Sequence, residues 1–288
     1  MNDLLRIEWN LGNSCNLKCS YCSKDLNNGT NPFPNYEVLR PAFDHIVDQT
    51  RAFSSVQIEI TGGEPTDSPA LKLILAEKIP AHIRLKLISN GMANLNWWTE
   101  VKNKLSAVQL SYHATTDFDH FFSVVKELNS IETRIMIVIT PETWSKQKLA
   151  YDILKTFNFD VHLQLLYSNF TKGNNEYLKY STEQWNEYYC SEGINPSVKK
   201  DVVQTIEFKR QHRLNDFFGH LCWAGVNQIV IDNFGDVWRG WCKANEPMGN
   251  IYKKTMLLDR QPRVCPRNQC KNGFDLQARK SDNSWGFA

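Results

Sequence analysis

The sequence predicts an α/β fold built on a mostly parallel sheet, and three observations carry that expectation. Six short runs rich in Ile, Val and Leu recur through the first part of the chain. Helix-like stretches separate them, as in repeated βα units. The runs show little apolar/polar alternation, the pattern of strands covered on both faces.

In order, the expected strands are 6–11, 56–61, 84–89, 107–111, 134–140 and 161–166. The helical stretches between them are 36–51, 69–77, 97–105, 118–129 and 146–157. Together they occupy residues 1–168. Residues 169–216 read as a partly helical connector: a polar loop, a short aromatic helix over 182–189 capped by Ser181 or Thr182, and a charged helical stretch over 197–216. A third section, 217–288, holds two strand-like runs, 228–231 and 237–241. Asp232-Asn233-Phe234-Gly235-Asp236 joins them as a hairpin, because Gly235 supplies positive φ. There is no internal repeat and no low-complexity tract.

Composition narrows the function classes. The 288 residues carry a net charge of +2, which argues against a polybasic nucleic-acid coat. No run of about 18 apolar residues suggests a membrane span. The opening MNDLLRIEWNLG lacks a basic n-region, an apolar h-region and a cleavage site, so a cytoplasmic protein is expected. Its thiols are then kept reduced. The eight cysteines are clustered, three within residues 15–22 and four in the last quarter, which points to metal rather than disulfides.

The strongest motif is Cys15-Asn16-Leu17-Lys18-Cys19-Ser20-Tyr21-Cys22, directly after the first strand. Three thiolates on one loop can hold three irons of a cubane and leave the fourth open to a small molecule. A zinc loop completed by a distant fourth ligand is the alternative. The second motif, Gly62-Gly63-Glu64-Pro65, follows the second strand. Its glycines allow close backbone approach to a ligand, and Glu64 offers a carboxylate to an ammonium group. A plain βα turn is the alternative. Both motifs fall at C-terminal ends of parallel strands, where such folds gather active sites.

On these residues the chain resembles the radical S-adenosylmethionine (SAM) superfamily. The resemblance implies a partial (β/α)6 barrel, in agreement with the strand count. It implies a [4Fe–4S] cluster on Cys15, Cys19 and Cys22, and SAM held on the open iron. Gly62, Gly63, Glu64 and Pro65 would contact the SAM amino group, and Tyr21 would lie near the adenine. Asn90 and Ser111, ending the third and fourth strands, match places where the family sets SAM-contacting polar residues. The implied activity is reductive cleavage of SAM to a 5′-deoxyadenosyl radical that abstracts a hydrogen from substrate. His113, just past Ser111, is a candidate for facing substrate.

The third section is similar to a SPASM or twitch domain, through Cys222-Trp223-Ala224-Gly225, the hairpin, Cys242 and Gly249-Asn250-Ile251. With Cys265 and Cys270 it has four thiols for one auxiliary [4Fe–4S] cluster, the shorter twitch version. The spacing of the last pair departs from the commoner pattern, and a structural zinc ribbon is the alternative. The expected architecture is thus a barrel with a small C-terminal hairpin-containing auxiliary-cluster domain. Cys190 is left over: a buried inert thiol, a hydrogen-atom donor of the kind some family epimerases use, or an auxiliary ligand. Arg260, Arg263, Arg267 and Lys271 read as a solvated face or as a lure for an anionic substrate.

The implied function is an oxidoreductase or modifying enzyme acting on a small molecule or a peptide, fed by a flavodoxin or ferredoxin. Peptide crosslinking or epimerisation is one alternative, and a non-catalytic iron–sulfur or zinc scaffold is another. The cysteine loop begins at residue 15, which is expected to disfavour recognition of a peptide leader by an N-terminal extension.

Overall fold

The computed structural model describes residues 4–22, 24–167, 177–194 and 214–281. The charged connector expected over 197–216 lies outside the described residues except for 214–216. Six strands come first: β1 (Leu4–Asn10), β2 (Ser55–Thr61), β3 (Ile83–Ser89), β4 (Ala107–Tyr112), β5 (Glu132–Ile139) and β6 (Asp160–Leu165). They pair in sequence order and every pair is parallel. The crossovers carry α1 (Lys24–Asn27), α2 (Tyr36–Gln49), α3 (Pro69–Ala76), α4 (Leu95–Val101), α5 (Phe118–Glu127) and α6 (Trp144–Thr156). The stretch expected to stay helical to 105 instead tightens into a 3-10 turn after Val101.

Local chemistry starts these helices where they start. Asn35, Ser68, Asn94 and Asp117 each accept a hydrogen bond from a backbone N–H in the first turn of α2, α3, α4 and α5. Each satisfies an amide that has no partner within its helix. Farther on, α7 (Thr182–Ser191) begins at the expected Ser181, which closes a capping box with Gln184.

One expectation is corrected. The strands are not covered on both faces: β2 buries Val56, Ile58 and Ile60 and leaves Gln57, Glu59 and Thr61 half-exposed. β3 repeats this, with Leu85 and Leu87 buried and Lys86 and Ile88 half-exposed. The buried face packs on Leu39, Phe43 and Ile46 of α2, Leu71 and Leu75 of α3 and Phe121 of α5. Each such Leu or Ile contributes about 1.5–3 kcal/mol. The opposite face lines a hollow, because a parallel sheet curling in sequence order encloses one.

Past the connector come β7 (Leu221–Cys222), β8 (Gln228–Ile231), β9 (Val237–Trp238) and β10 (Arg263–Val264). The hairpin of β8 and β9 forms as expected. β8 also adds in parallel to the outer edge of β1, from Arg6 against Gln228 to Trp9 against Ile231. One sheet of eight strands results, with an otherwise open edge of β1 covered. β9 stops at Trp238 rather than running to 241. The carboxylate of Asp275 in α8 (Gly273–Leu276) takes the backbone N–H groups of Trp241 and Cys242 at 2.9 and 2.8 Å and draws the chain out of the ladder. Among the described residues no helix is long and apolar enough to cross a membrane.

Candidate functional site

A cavity of about 230 Å³ opens at the C-terminal ends of the first six strands. Cys15, Cys19, Tyr21 and Cys22 line it from the loop after β1, and Gly63 and Glu64 from the loop after β2. Ser89 and Asn90 enter from β3, and Ser111 and His113 from the end of β4. The sequence motifs thus converge on one cavity, although most of a βα unit separates each from the next, and of the Gly62–Pro65 turn Gly62 and Pro65 do not line it.

The two loops are locked together by backbone. The N–H of Glu64 donates to the carbonyl of Ser14 at 2.8 Å. A Cβ on Gly63, at φ +53°, would stand 1.9 Å from that same oxygen. A Cβ on Gly62, at φ +97°, would stand 1.9 Å from Oδ1 of Asn10. The close approach that the glycines allow is therefore made first to the cysteine loop itself. Pro65, buried, then opens a 3-10 turn over Pro65–Asp67.

Glu64 is 1 % exposed. Its Oε1 accepts from Thr66 N, Thr66 Oγ1 and Ser89 Oγ, and its Oε2 from Asn90 N at 2.7 Å. Burial pushes its pKa up, and those four donors pull against it. Most of the acceptor capacity expected to face an ammonium group is spent on bracing β2 to β3. Asn90 is braced in turn, donating through Nδ2 to Asn16 of the cysteine loop at 2.7 Å.

The Tyr21 hydroxyl meets Nδ1 of His113 at 2.5 Å, and the rings stack. Burial holds the His113 pKa down to about 4, so its imidazole is neutral near neutral pH. Burial and the neighbouring Cys19 push the Tyr21 phenol well up. Burial also raises the Cys15 thiol, and takes Cys22 to about 11 with help from Cys15 and Cys19. These thiols need a positive charge among them to ionise, which is what a soft metal centre supplies. Among the described residues no three His, Cys, Asp or Glu side chains are gathered at single-ion spacing. The three cysteines share a cavity wall instead.

Several lining residues escaped the sequence reading: Thr61, Ile88, Val138 and Gln164, with Leu166 and Tyr167 just beyond β6. The signal was present as period-two alternation at the strand ends. Deeper on the same face, Glu8, Glu59 and Lys86 sit side by side on β1, β2 and β3. Lys86 pairs with Glu59 at 2.7 Å. Burial, then the Glu59 charge, raises the Glu8 pKa to about 8. Cys190 is corrected: it lies exposed on α7 rather than buried, and does not line the cavity.

The C-terminal thiols lie within electrostatic reach of one another. Cys270 is buried and Cys222, Cys242 and Cys265 are half-buried. Cys222 and Cys265 each bear on the pKa of Cys242, and Cys222 and Cys242 on that of Cys270. Burial raises Cys222 and Cys270, and lifts Cys242 to about 11.

Residues 9–167, more than half of the chain, match the model of the radical SAM superfamily, and the chain belongs to that superfamily. Within a stretch of 78 residues it is 35% identical to the 7-carboxy-7-deazaguanine synthase of Haemophilus influenzae. That stretch covers 27% of the chain and 33% of the synthase, so only a third of the curated relative is spanned. Among solved structures, the chain is similar to native anSMEcpe with bound AdoMet, at a TM-score of 0.56 and 19% identity over 88% of this chain and 79% of that one. SuiB of Streptococcus suis gives a TM-score of 0.53 and 17% identity over 87% of this chain and 64% of that one. At these identities the likeness is one of fold.

Proposed function

We propose that the chain is a SAM-dependent radical enzyme whose reaction takes place in this cavity, on a small molecule or a peptide. The observation that carries the reading is the convergence of Cys15, Cys19 and Cys22 with Gly63 and Glu64 of the turn, Asn90 and Ser111 around one cavity. The three thiols would hold a [4Fe–4S] cluster, and the turn, Asn90, Ser111 and Tyr21 would surround SAM. When bound, cluster and SAM supply a 5′-deoxyadenosyl radical able to take a hydrogen atom from substrate. The chain's own work is placement. Glu64 fixes the turn, Tyr21 and His113 fix the cysteine loop, and Val138, Leu166 and Tyr167 give the far wall an apolar surface. His113, neutral and lining the cavity, is the candidate to meet substrate.

In the same reading residues 217–288 act as a twitch-type domain, with Cys222, Cys242, Cys265 and Cys270 holding a second [4Fe–4S] cluster. An external flavodoxin or ferredoxin would supply electrons. A peptide substrate gains support from the fold shared with SuiB bound to the precursor peptide SuiA, at a TM-score of 0.54.

Anaerobic reconstitution with dithionite and SAM tests the reading. Release of 5′-deoxyadenosine is expected. None from protein with its clusters loaded would favour the scaffold alternative. Iron analysis tests the second cluster: about eight irons per chain, falling to about four when Cys15, Cys19 and Cys22 are replaced by Ala.

A further inference from the structure

The segment after α8 returns along β7. Trp223 N donates to Arg279 O at 3.0 Å, Ser281 N donates to Leu221 O at 2.9 Å, and Lys280 bridges Cys222. This return carries Lys280 inward, where it is 2 % exposed. Its ammonium donates to the carbonyls of Asp275 and Ala278 at 2.9 and 2.8 Å and lies 5.0 Å from the centre of the Phe217 ring.

A buried cation is costly unless an anion compensates it. Among the described residues no carboxylate makes an ion pair with Lys280. The carboxylate that bears on it, Asp275, is buried too and takes the N–H groups of Trp241 and Cys242, so both charges lie at the cysteine site. Lys280 is also set against the cysteines: it stands opposite Cys222 in the bridge, and Phe217, beside its ammonium, packs with Cys270 and Cys265. An iron–sulfur centre on four thiolates is an anion as a whole, and a buried ammonium at this place would offset part of its charge.

We propose that Lys280 is the counter-charge of the C-terminal cysteine site and holds the reduction potential of its cluster up. This rests on the reading of Cys222, Cys242, Cys265 and Cys270 as cluster ligands. Reduction adds a negative charge to the centre, and a fixed cation in a low-dielectric surrounding favours the reduced state. Lys280 is thereby a positioning residue for charge, acting on electron transfer through the cluster.

The test uses full-length protein carrying Cys15→Ala, Cys19→Ala and Cys22→Ala, so that remaining iron belongs to the C-terminal site. Lys280→Met, Lys280→Gln and Lys280→Arg are added singly. Iron content, circular dichroism and an anaerobic redox titration followed by electron paramagnetic resonance are measured. Both neutral variants are expected to make reduction at least tenfold less favourable, a midpoint lower by about 59 mV for one electron. Arg is expected to restore it. Folded neutral variants that fail to load iron, beside an Arg variant that loads, would support the same role. Gln keeps an amide donor for the carbonyls and so guards against a folding defect in Met. Iron loading with an unmoved midpoint in Gln or Met overturns the proposal, as does loss of loading in all three variants. Absence of iron from the parent triple variant is a separate result, which removes the cluster reading itself.

Discussion

Tyr21 and His113 stand 92 residues apart in the chain and share a 2.5 Å hydrogen bond, with their rings 6.0 Å apart and nearly parallel. The contact fastens the tip of the cysteine loop to the end of β4. Either tautomer of the neutral His113 ring makes this bond: Nδ1 accepts from the phenol in one and donates to it in the other. Tyr21→Phe leaves that buried nitrogen unpaired, at a cost of about 1–3 kcal/mol near pH 7. The pH course is distinctive. The folded pKa lies below the ordinary 6.5, so unfolding takes up a proton and stability is lost as pH falls from 6.5 toward about 4. Burial sets this shift, so Tyr21→Phe, which leaves the ring in place, should keep the same pH course. Urea unfolding of metal-free protein at several pH values checks both parts. Equal stability near neutral pH would show that the contact does not support the loop.

Gly63→Ala sets two backbones in conflict. The new Cβ would overlap the Ser14 carbonyl at 1.9 Å, and the residue would have to keep φ at +53°. The Ser14 oxygen cannot retreat without moving Cys15. The expected outcome is loss of about four of about eight irons, with the C-terminal site still loaded. Gly193→Ala is the control: φ is +66° there, and nothing lies within 4 Å of the added carbon. It should cost about 1–2 kcal/mol and no iron. Iron analysis of the two variants side by side separates backbone strain from collision.

What could be read in the sequence was what is contiguous or repeated. Cys15, Cys19 and Cys22 share one loop, and the six βα units announce themselves by recurrence. The partners of those motifs could not be read. Gly63 looked like a place for a ligand because the chain nearest to it, Ser14, arrives from another loop. The acceptors of Glu64 are filled by Ser89 and Asn90, brought near only when β3 pairs with β2. The pairing of β8 with β1 is an edge contact between distant segments, and nothing local in Gln228–Ile231 specifies it. Nothing local marks Asp275 and Lys280 as buried, because their burial depends on how the last turn packs. The open inner face was legible and was passed over: Gln57, Glu59 and Thr61 alternate with Val56, Ile58 and Ile60.

Glu64→Gln tests the brace between β2 and β3. A carboxamide keeps one acceptor oxygen and presents an NH₂ group in place of the other. Turned one way, it opposes the Asn90 N–H; turned the other, it opposes Thr66 and Ser89. At least one buried donor is left unmatched, for a loss of about 1–3 kcal/mol. Asn90 and Asn16 loosen with it, so SAM affinity should fall by about tenfold, equivalent to about 1.4 kcal/mol. Thermal unfolding and equilibrium dialysis with SAM read the two effects separately. A variant that melts and binds like the parent would show that these hydrogen bonds do not hold the turn.

Glu8 carries a pH dependence of its own, because its carboxyl is strongly displaced inside the hollow. Burial and the adjacent Glu59 raise its pKa from 4.5 to about 8, while Lys86, already paired with Glu59, only partly offsets them. Between those two values the folded chain holds a proton that the unfolded chain has released. Stability therefore falls as pH rises from 4.5 to about 8 and levels off above. The slope is at most about 1.4 kcal/mol per pH unit, reduced by whatever water reaches the half-buried carboxyl. Glu8→Gln removes the titrating group and keeps the shape. It should be more stable than the parent near pH 8 by about 1–3 kcal/mol, with the advantage shrinking toward pH 5. Denaturant midpoints of both proteins at matched pH, without metal and under reducing conditions, give the difference directly. Parallel curves for the two would mean that Glu8 ionises as readily in the folded hollow as it does in water.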